Sequence, residues 1–368
     1  MKLLIQFLLM LVFSSSSIQL MALEINHVYH KPDIFNPSKS EVATVFFNIS
    51  SAASVRLNVY DDRDMLISTR LKKNLFAGDH FIKWDGKDTA GNHVPPEAYR
   101  YTLVAHDDDG KKSEHDLTDL TGEKRYVIRD IKWDAELHQF KYTLPEPARI
   151  MIRVGLNNHG PLLASVVNWV PRLSGDQVEY WDGKDSSKFL DLTNHPNIQI
   201  DIQAYTLSKN TLFVGPKSDQ VKFIEAPWVK EKRQRKKYKK KQMIAAQQQK
   251  PASRGDYLAL LTLPDDLPKN QNGVPVVSTI IPVIISVAPK YQQLVQNRRQ
   301  ESVFFIDGQF VFENEVGYLP KTWMLDVKNI SEGEHFLTVN IRGYEGNFGL
   351  ATTKIFVKHE KKSNRYDT

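Results

Sequence analysis

The stretch Phe76–Ala105, FAGDHFIKWDGKDTAGNHVPPEAYRYTLVA, decides how the chain is read. Its two ends, Phe81–Trp84 and Tyr99–Ala105, have strand composition, with large aromatic and branched residues in alternation. Between them, Asp85–Pro96 is built from turn residues. Asp85-Gly86 and Ala90-Gly91-Asn92 tolerate positive φ, and the aspartates accept local backbone N–H groups. Pro95-Pro96 then fixes extended backbone ahead of the second strand. Further on, Tyr180-Trp181-Asp182-Gly183-Lys184-Asp185 repeats Lys83-Trp84-Asp85-Gly86-Lys87-Asp88 almost residue for residue, and Ile198–Leu207 stands where the closing strand belongs. A repeat at domain spacing implies repeated structural units.

Upstream of the quoted stretch, Val42–Ile49, Val55–Tyr60 and Met65–Leu71 are strand-like, with a polar turn at Asp61–Asp64. Short strands separated by turn signals predict a β-sandwich over residues 23–109. Lys141–Pro145, Ile150–Leu156 and Val166–Val170 predict a second, diverged copy over 123–226, in which Ser186–Asn194 replaces the glycine-containing turn. A third sandwich is expected over 256–358, from Val276–Val287, Ser302–Ile306, Gln309–Glu313, Trp323–Val327, Phe336–Ile341 and Leu350–Val357. Its Asp307-Gly308, set between two apolar runs, is the strongest hairpin signal in the chain. The expected fold class is all-β: tandem immunoglobulin-like sandwiches joined by a basic linker at 227–255, with a charged tail at 359–368.

The first module resembles the FlgD-type immunoglobulin-like domain. The resemblance rests on Phe35-Asn36-Pro37-Ser38, Val55–Asp61, Ala77-Gly78-Asp79-His80, Trp84-Asp85-Gly86-Lys87-Asp88, Gly91-Asn92 and Tyr99-Arg100-Tyr101, and covers residues 32–106. It implies a sandwich used for structure or protein contacts and no catalysis. The module stands first, directly after a leader, which points away from hook capping and from C-terminal sorting. Glu332–Val339 of the third module is similar to many immunoglobulin-like domains of bacterial surface proteins.

At 368 residues the chain has room for two to four domains. It has no cysteine, which excludes disulfides, thiolate nucleophiles, cysteine-ligated zinc, iron–sulfur clusters, covalent haem and a lipoprotein anchor. Met1–Ala22 reads as a secretory signal peptide: Lys2, an apolar core at Leu3–Phe13 broken only by Gln6, then Ser14–Ser17, with cleavage expected after Ala22. The core is shorter than the ~20 residues that span a bilayer. Export through the Sec pathway to the periplasm, cell surface or medium is expected, with no spanning segment after cleavage. The formal charge of +6 is misleading. Removing Lys2 and residues 230–241 leaves 39 basic against 42 acidic residues.

The basic excess sits in Lys230, Lys232, Arg233, Arg235, Lys236, Lys237, Lys239, Lys240 and Lys241. These are the candidate polyanion-binding residues, toward an anionic surface polymer or lipid. Tyr238 alone is too little aromatic surface for base stacking, which points away from nucleic acid. Asp85, Asp88, Asn92, His93 and the run Asp107-Asp108-Asp109-Gly110 are oxygen-rich but lack the spacing of an EF-hand loop. They are read as turns. His27 and His30 stand at i and i+3, and the eleven histidines form neither HExxH nor HxH. No nucleophile elbow or phosphate loop is present in the sequence. Trp84 and Trp181 each end a strand and are expected in the core rather than on a sugar platform. No cofactor or catalytic residue is implied. The expected function is binding or scaffolding with another exported protein or a surface polymer. The alternatives are a carbohydrate-binding or glycan-processing accessory and a flagellar or secretion-apparatus component.

Overall fold

The computed structural model describes residues 22–215 and 255–359, apart from Asp119, Glu123, Asn297, Tyr344 and Glu345. Eight strands open the chain: β1 (Ile25–Lys31), β2 (Ile34–Phe35), β3 (Ala43–Ile49), β4 (Ala53–Tyr60), β5 (Leu66–Leu75), β6 (Gly78–Trp84), β7 (Glu97–His106) and β8 (Lys112–His115). Period-two patterns place them. Ala43, Val45, Phe47 and Ile49 of β3 face Ala53, Val55, Leu57 and Val59 of β4 across one core, closed by Phe35, Trp84, Tyr99 and Tyr101. One layer is β1-β3-β6.

The second module contributes β9 (Arg125–Tyr126), β10 (Lys132–Asp134), β11 (Gln139–Leu144), β12 (Ala148–Leu156), β13 (Leu162–Arg172), β14 (Gly175–Tyr180) and β15 (Ile198–Thr206). Its layers are β10-β11-β14 and β13-β12-β15-β9. The chain then does something the sequence pattern does not announce. Residues Thr211–Val214, inside the 123–226 range expected for the second module, form β16 and return to the first sandwich. There β16 lies between β2 and β7, giving the second layer β2-β16-β7-β4-β5 with β8 against β7. The reason is local. All four residues of TLFV are buried, so the strand needs neighbours on both edges and cover on both faces. Arg100–Glu97 and Ile34-Phe35 supply the edges. Asn210 pins the crossing, its Nδ2 donating to the Tyr101 carbonyl at 2.6 Å and its carbonyl accepting the Tyr101 N–H at 2.9 Å. The second sandwich is thus inserted between two strands of the first.

The third module holds β17 (Tyr257–Thr262), β18 (Val276–Val277), β19 (Ile281–Val287), β20 (Gln300–Ile306), β21 (Gln309–Gly317), β22 (Lys321–Leu325), β23 (Gly333–Gly343) and β24 (Phe348–Val357). Strand β17 joins its two halves. Tyr257 and Leu258 run parallel to β24, and Ala259–Thr262 then pair antiparallel with β19. The single run expected at Val276–Val287 divides into β18 on β24 and β19 on β17 and β22, because the chain changes sheet between them. Pro282 is exposed and lies beyond the end of the β17 ladder, so its missing N–H breaks no bond there. Asp307 and Gly308 turn with φ of 49° and 78°, the positive pair that a two-residue type I′ hairpin requires.

Leu212 is fully buried in the first core although it lies outside residues 23–109. Leu212→Ala should destabilise the first sandwich by about 2–5 kcal/mol, as much as Leu57→Ala, in denaturant unfolding followed by fluorescence. A change within about 0.5 kcal/mol would show that β16 is dispensable.

Candidate functional site

The repeated signature is a strand-to-turn device in both copies. Trp84 and Trp181 are buried, and each indole N–H closes the turn by donating to the carbonyl three residues on, Lys87 at 3.0 Å and Lys184 at 2.9 Å. Gly86 and Gly183 sit at φ of 69° and 74°, and a Cβ at either would strike Pro37 or Thr193. The returning chain bonds back at the same place, Val94 N–H to Gly86 and Leu192 N–H to Gly183. Asp88 accepts the Ala90 and Asn92 N–H groups, and Asp185 accepts those of Ser187 and Leu190. Where the first copy uses Gly91 at φ 85°, the second places Lys188 at φ 67°. The carboxylates therefore act as turn acceptors. Of the two remaining acids, Asp182 accepts the Lys184 N–H at 3.1 Å, and Asp85 accepts from Arg70 at 2.9 Å; against the opposing effect of burial, that partner holds the Asp85 carboxyl below the usual range. Asp107 accepts the Asp109 and Lys111 N–H groups, so the Asp-rich run is a turn as well.

His27 and His30, at i and i+3 in the sequence, do not converge. A bulge at His27 (φ 51°) exposes that ring, whereas His30 turns inward to the Tyr101 hydroxyl at 3.2 Å. Among the described residues no group of three or more His, Asp or Glu is placed to hold a metal. An open hollow on the second module is lined by His138, Asp191, Thr193, Asn194 and His195. Hydrogen bonds from Thr193 hold Asp191 below the usual carboxylate range, and His195 Nδ1 accepts the Asn197 N–H, so both groups are engaged locally. On the outer face of β1-β3-β6, Tyr29, Phe46 and Phe81 form a cross-strand row. Tyr29 and Phe46 stack at 4.8 Å and 13°, and Lys72 lies 4.2 Å over Phe81. Such cross-strand ring pairs stabilise the sheet. Lys230, Lys232, Arg233, Arg235, Lys236, Lys237, Lys239, Lys240 and Lys241 lie outside the described residues, as does Met1–Met21.

A constellation absent from the sequence reading sits between the second and third modules. In β12 the pattern inverts expectation: Ile150, Ile152 and Val154 fill the core, yet Met151, Arg153 and Gly155 on the opposite face are also buried. Arg153 forks onto Asp256, Nε to Oδ2 at 2.7 Å and Nη2 to Oδ1 at 2.6 Å. Its Nη2 also donates to the Gly346 carbonyl, and the guanidinium lies 4.6 Å over the Phe348 ring. Asp256 Oδ1 takes a further bond from the Phe348 N–H at 2.9 Å. Two asparagines flank the fork and face opposite ways. Asn340 accepts the Leu162 N–H and donates to the Leu162 carbonyl, both at 2.7 Å. Asn168 does the same for Asp256, at 2.8 and 2.9 Å. Ser187 adds a bond from the Thr352 N–H. An Arg in the middle of the apolar run Ile150–Leu156 was the one available signal.

A family model for the FlgD Ig-like domain matches residues 36–109, so β16 falls outside the matched stretch. The structure of FlgD from P. aeruginosa is similar at 27% identity and a TM-score of 0.21, over 24% of this chain and 67% of that one. A structure concerned with host cell surface retention of a 1.5-MDa bacterial ice-binding adhesin is similar at 12% identity and TM-score 0.19, over 92% and 99% of the two chains. Dimeric latent PorU from Porphyromonas gingivalis is similar at 10% identity and TM-score 0.21, over 92% and 34%. No curated protein matches the sequence significantly. The chain is an all-β protein of immunoglobulin-like modules, the first of them FlgD-like.

Burial lowers the pKa of His30 below 6.5, only partly opposed by Asp33. The unfolded chain then takes up a proton that the native state resists. The stabilising contribution is complete above the unfolded pKa and is lost as pH falls toward the native value. The urea midpoint should fall between about pH 7.5 and 5.5, and His30→Gln should reduce that fall. An equal fall in the variant would assign the acid sensitivity elsewhere.

Proposed function

We propose that the chain is an exported, non-catalytic scaffold of the bacterial envelope or extracellular space, which uses its basic arm to contact an anionic polymer and its modules to hold another exported protein. One observation carries the scaffold reading: the modules are fastened to one another, by β16 between the first and second and by the Arg153–Asp256 fork between the second and third. A chain of independent beads needs neither device. The acids of the repeated signature and of the hollow are engaged in turn bonds, which supports a binding rather than a catalytic role. The buried indoles of Trp84 and Trp181 favour scaffolding over a glycan platform. Among the described residues, no helix is long and apolar enough to cross a membrane. Leu23, the first residue after the expected cleavage, is buried in the first core, which fits a mature chain beginning there.

Two measurements test this reading. Expressed with its leader in a bacterial host, the protein should be recovered outside the cytoplasm with Leu23 at its N-terminus, as read by intact mass. Retention of Met1–Ala22 in cytoplasmic protein would refute export. On immobilised heparin, binding should weaken with salt, and replacing Lys236, Lys237, Lys239, Lys240 and Lys241 by Gln should flatten the log–log salt slope by several units. An unchanged slope would remove the arm from the binding account.

A further inference from the structure

The joint between the second and third modules has the composition of a docking interface rather than of a linker contact. We propose that the third module is bound to the second as a docked unit, independently of the covalent path through residues 216–254, so that the basic arm is a side connection with both ends anchored in folded structure.

Three observations carry this. First, the joint pairs the backbone of one residue on each side, Leu162 of the second module and Asp256 of the third. Strand β13 is an eleven-residue edge strand, bulged three times against β12. An open edge of that length exposes unpaired backbone groups. Asn340 pairs with both backbone groups of Leu162 just as a neighbouring strand would, and Asn168 pairs with both backbone groups of Asp256 in return. Second, the fork is buried on both sides, with side-chain exposure of 7% for Arg153 and 1% for Asp256. Removing one partner while the modules stay joined leaves the other charge buried and unpaired, which is strongly unfavourable, so the docked state requires both groups. Third, residues that point away from the third module's own core are nevertheless buried. Phe305, Leu350, Thr338 and Thr352 are each at most 5% exposed, and neither Phe305 nor Leu350 belongs to that core.

The arm's ends are held in different places. Gly215 closes β16 in the first sandwich, its N–H donating to the Phe35 carbonyl at 3.0 Å. Gly255 directly precedes the forked Asp256 and is itself buried. The segment between them therefore starts on the first module and ends at the joint of the second and third. The docking does not depend on the arm reading of function, and the test separates the two.

The experiment uses the full chain with a site-specific protease sequence inserted after Tyr238. After cutting, the protein should elute in gel filtration at about 1 μM as one particle of the uncut mass, giving two bands only when denatured. Cut protein that elutes as two species overturns the proposal. Arg153→Met should weaken association of the cut halves about a hundredfold or more. Asn340→Ala and Asn168→Ala should weaken it by smaller factors, and they answer the same question if the Arg153 variant does not fold. Cut variants that hold together as tightly as the parent also overturn it. Heparin binding of the uncut chain is measured alongside, so failure of the joint and failure of the arm are read independently.

Discussion

The fork of Arg153 onto Asp256 is the interaction on which the assembly of this molecule depends. Taken alone, a buried ion pair is a poor source of stability, because desolvation of two charges offsets most of their attraction. Here the geometry meets the condition under which such a pair persists. Both carboxylate oxygens and two guanidinium nitrogens are occupied, with the Gly346 carbonyl and the Phe348 N–H taking additional positions. Apolar replacements could match its stability. They could not match its directionality, since a planar fork accepts one orientation of a carboxylate. The pair therefore sets the angle and register of the third module as well as holding it.

Connectivity imposes the second constraint. The second sandwich is inserted between β8 and β16, so the first sandwich is incomplete until more than half of the chain exists. Long-range pairing of this kind is slow to form because loop closure precedes the contacts that reward it. Two strand connections, rather than one, also tether the inserted module. The polar contact between Arg149 and Glu97 at 3.0 Å adds to this boundary, although burial keeps the Glu97 carboxyl above its usual range despite Arg149. The first and second modules are therefore linked by chain topology, the second and third by side-chain chemistry.

What the sequence made legible follows from what period-two patterns encode. Alternation in Ala43–Ile49 and Ala53–Tyr60 reports one buried face, and the Asp-Gly pairs report turns that need positive φ, so strands and turns were found where they lie. Neither signal names a strand's partner. TLFV at 211–214 reads equally well as the last strand of the second module or as a strand of the first, and only its pairing with β2 and β7 decides. Strands β1 (INHVYHK) and β14 (GDQVEY) escaped because they are edge strands with too few apolar positions to alternate. The joint escaped for a different reason. Asn168, Asp256 and Asn340 are residue types found on any solvated surface, and their meaning arises from facing backbone across a module boundary. The run Ile150–Gly155, buried on both faces, carried a trace of it, since a strand covered on both sides loses its alternation.

The choice of amides beside the fork has a physical logic that extends to the edge strand itself. A β13 left open would offer its backbone to any passing strand, including that of another copy. Bulges already twist it away from regular pairing, with Trp169 at φ 54° at one of them. A third-module strand laid against this edge would have to follow those bulges. A side-chain amide does not: it carries one donor and one acceptor, spaced like a peptide group, and can close on a single residue of an irregular edge. Asn340 does this at Leu162, beyond the last bulge, and Asn168 reverses the relation at Asp256. The two modules thus satisfy one residue of each other's backbone without merging their sheets, Ser186 of the second module covers the adjacent Leu163 and Ser165, and each sandwich keeps its own core.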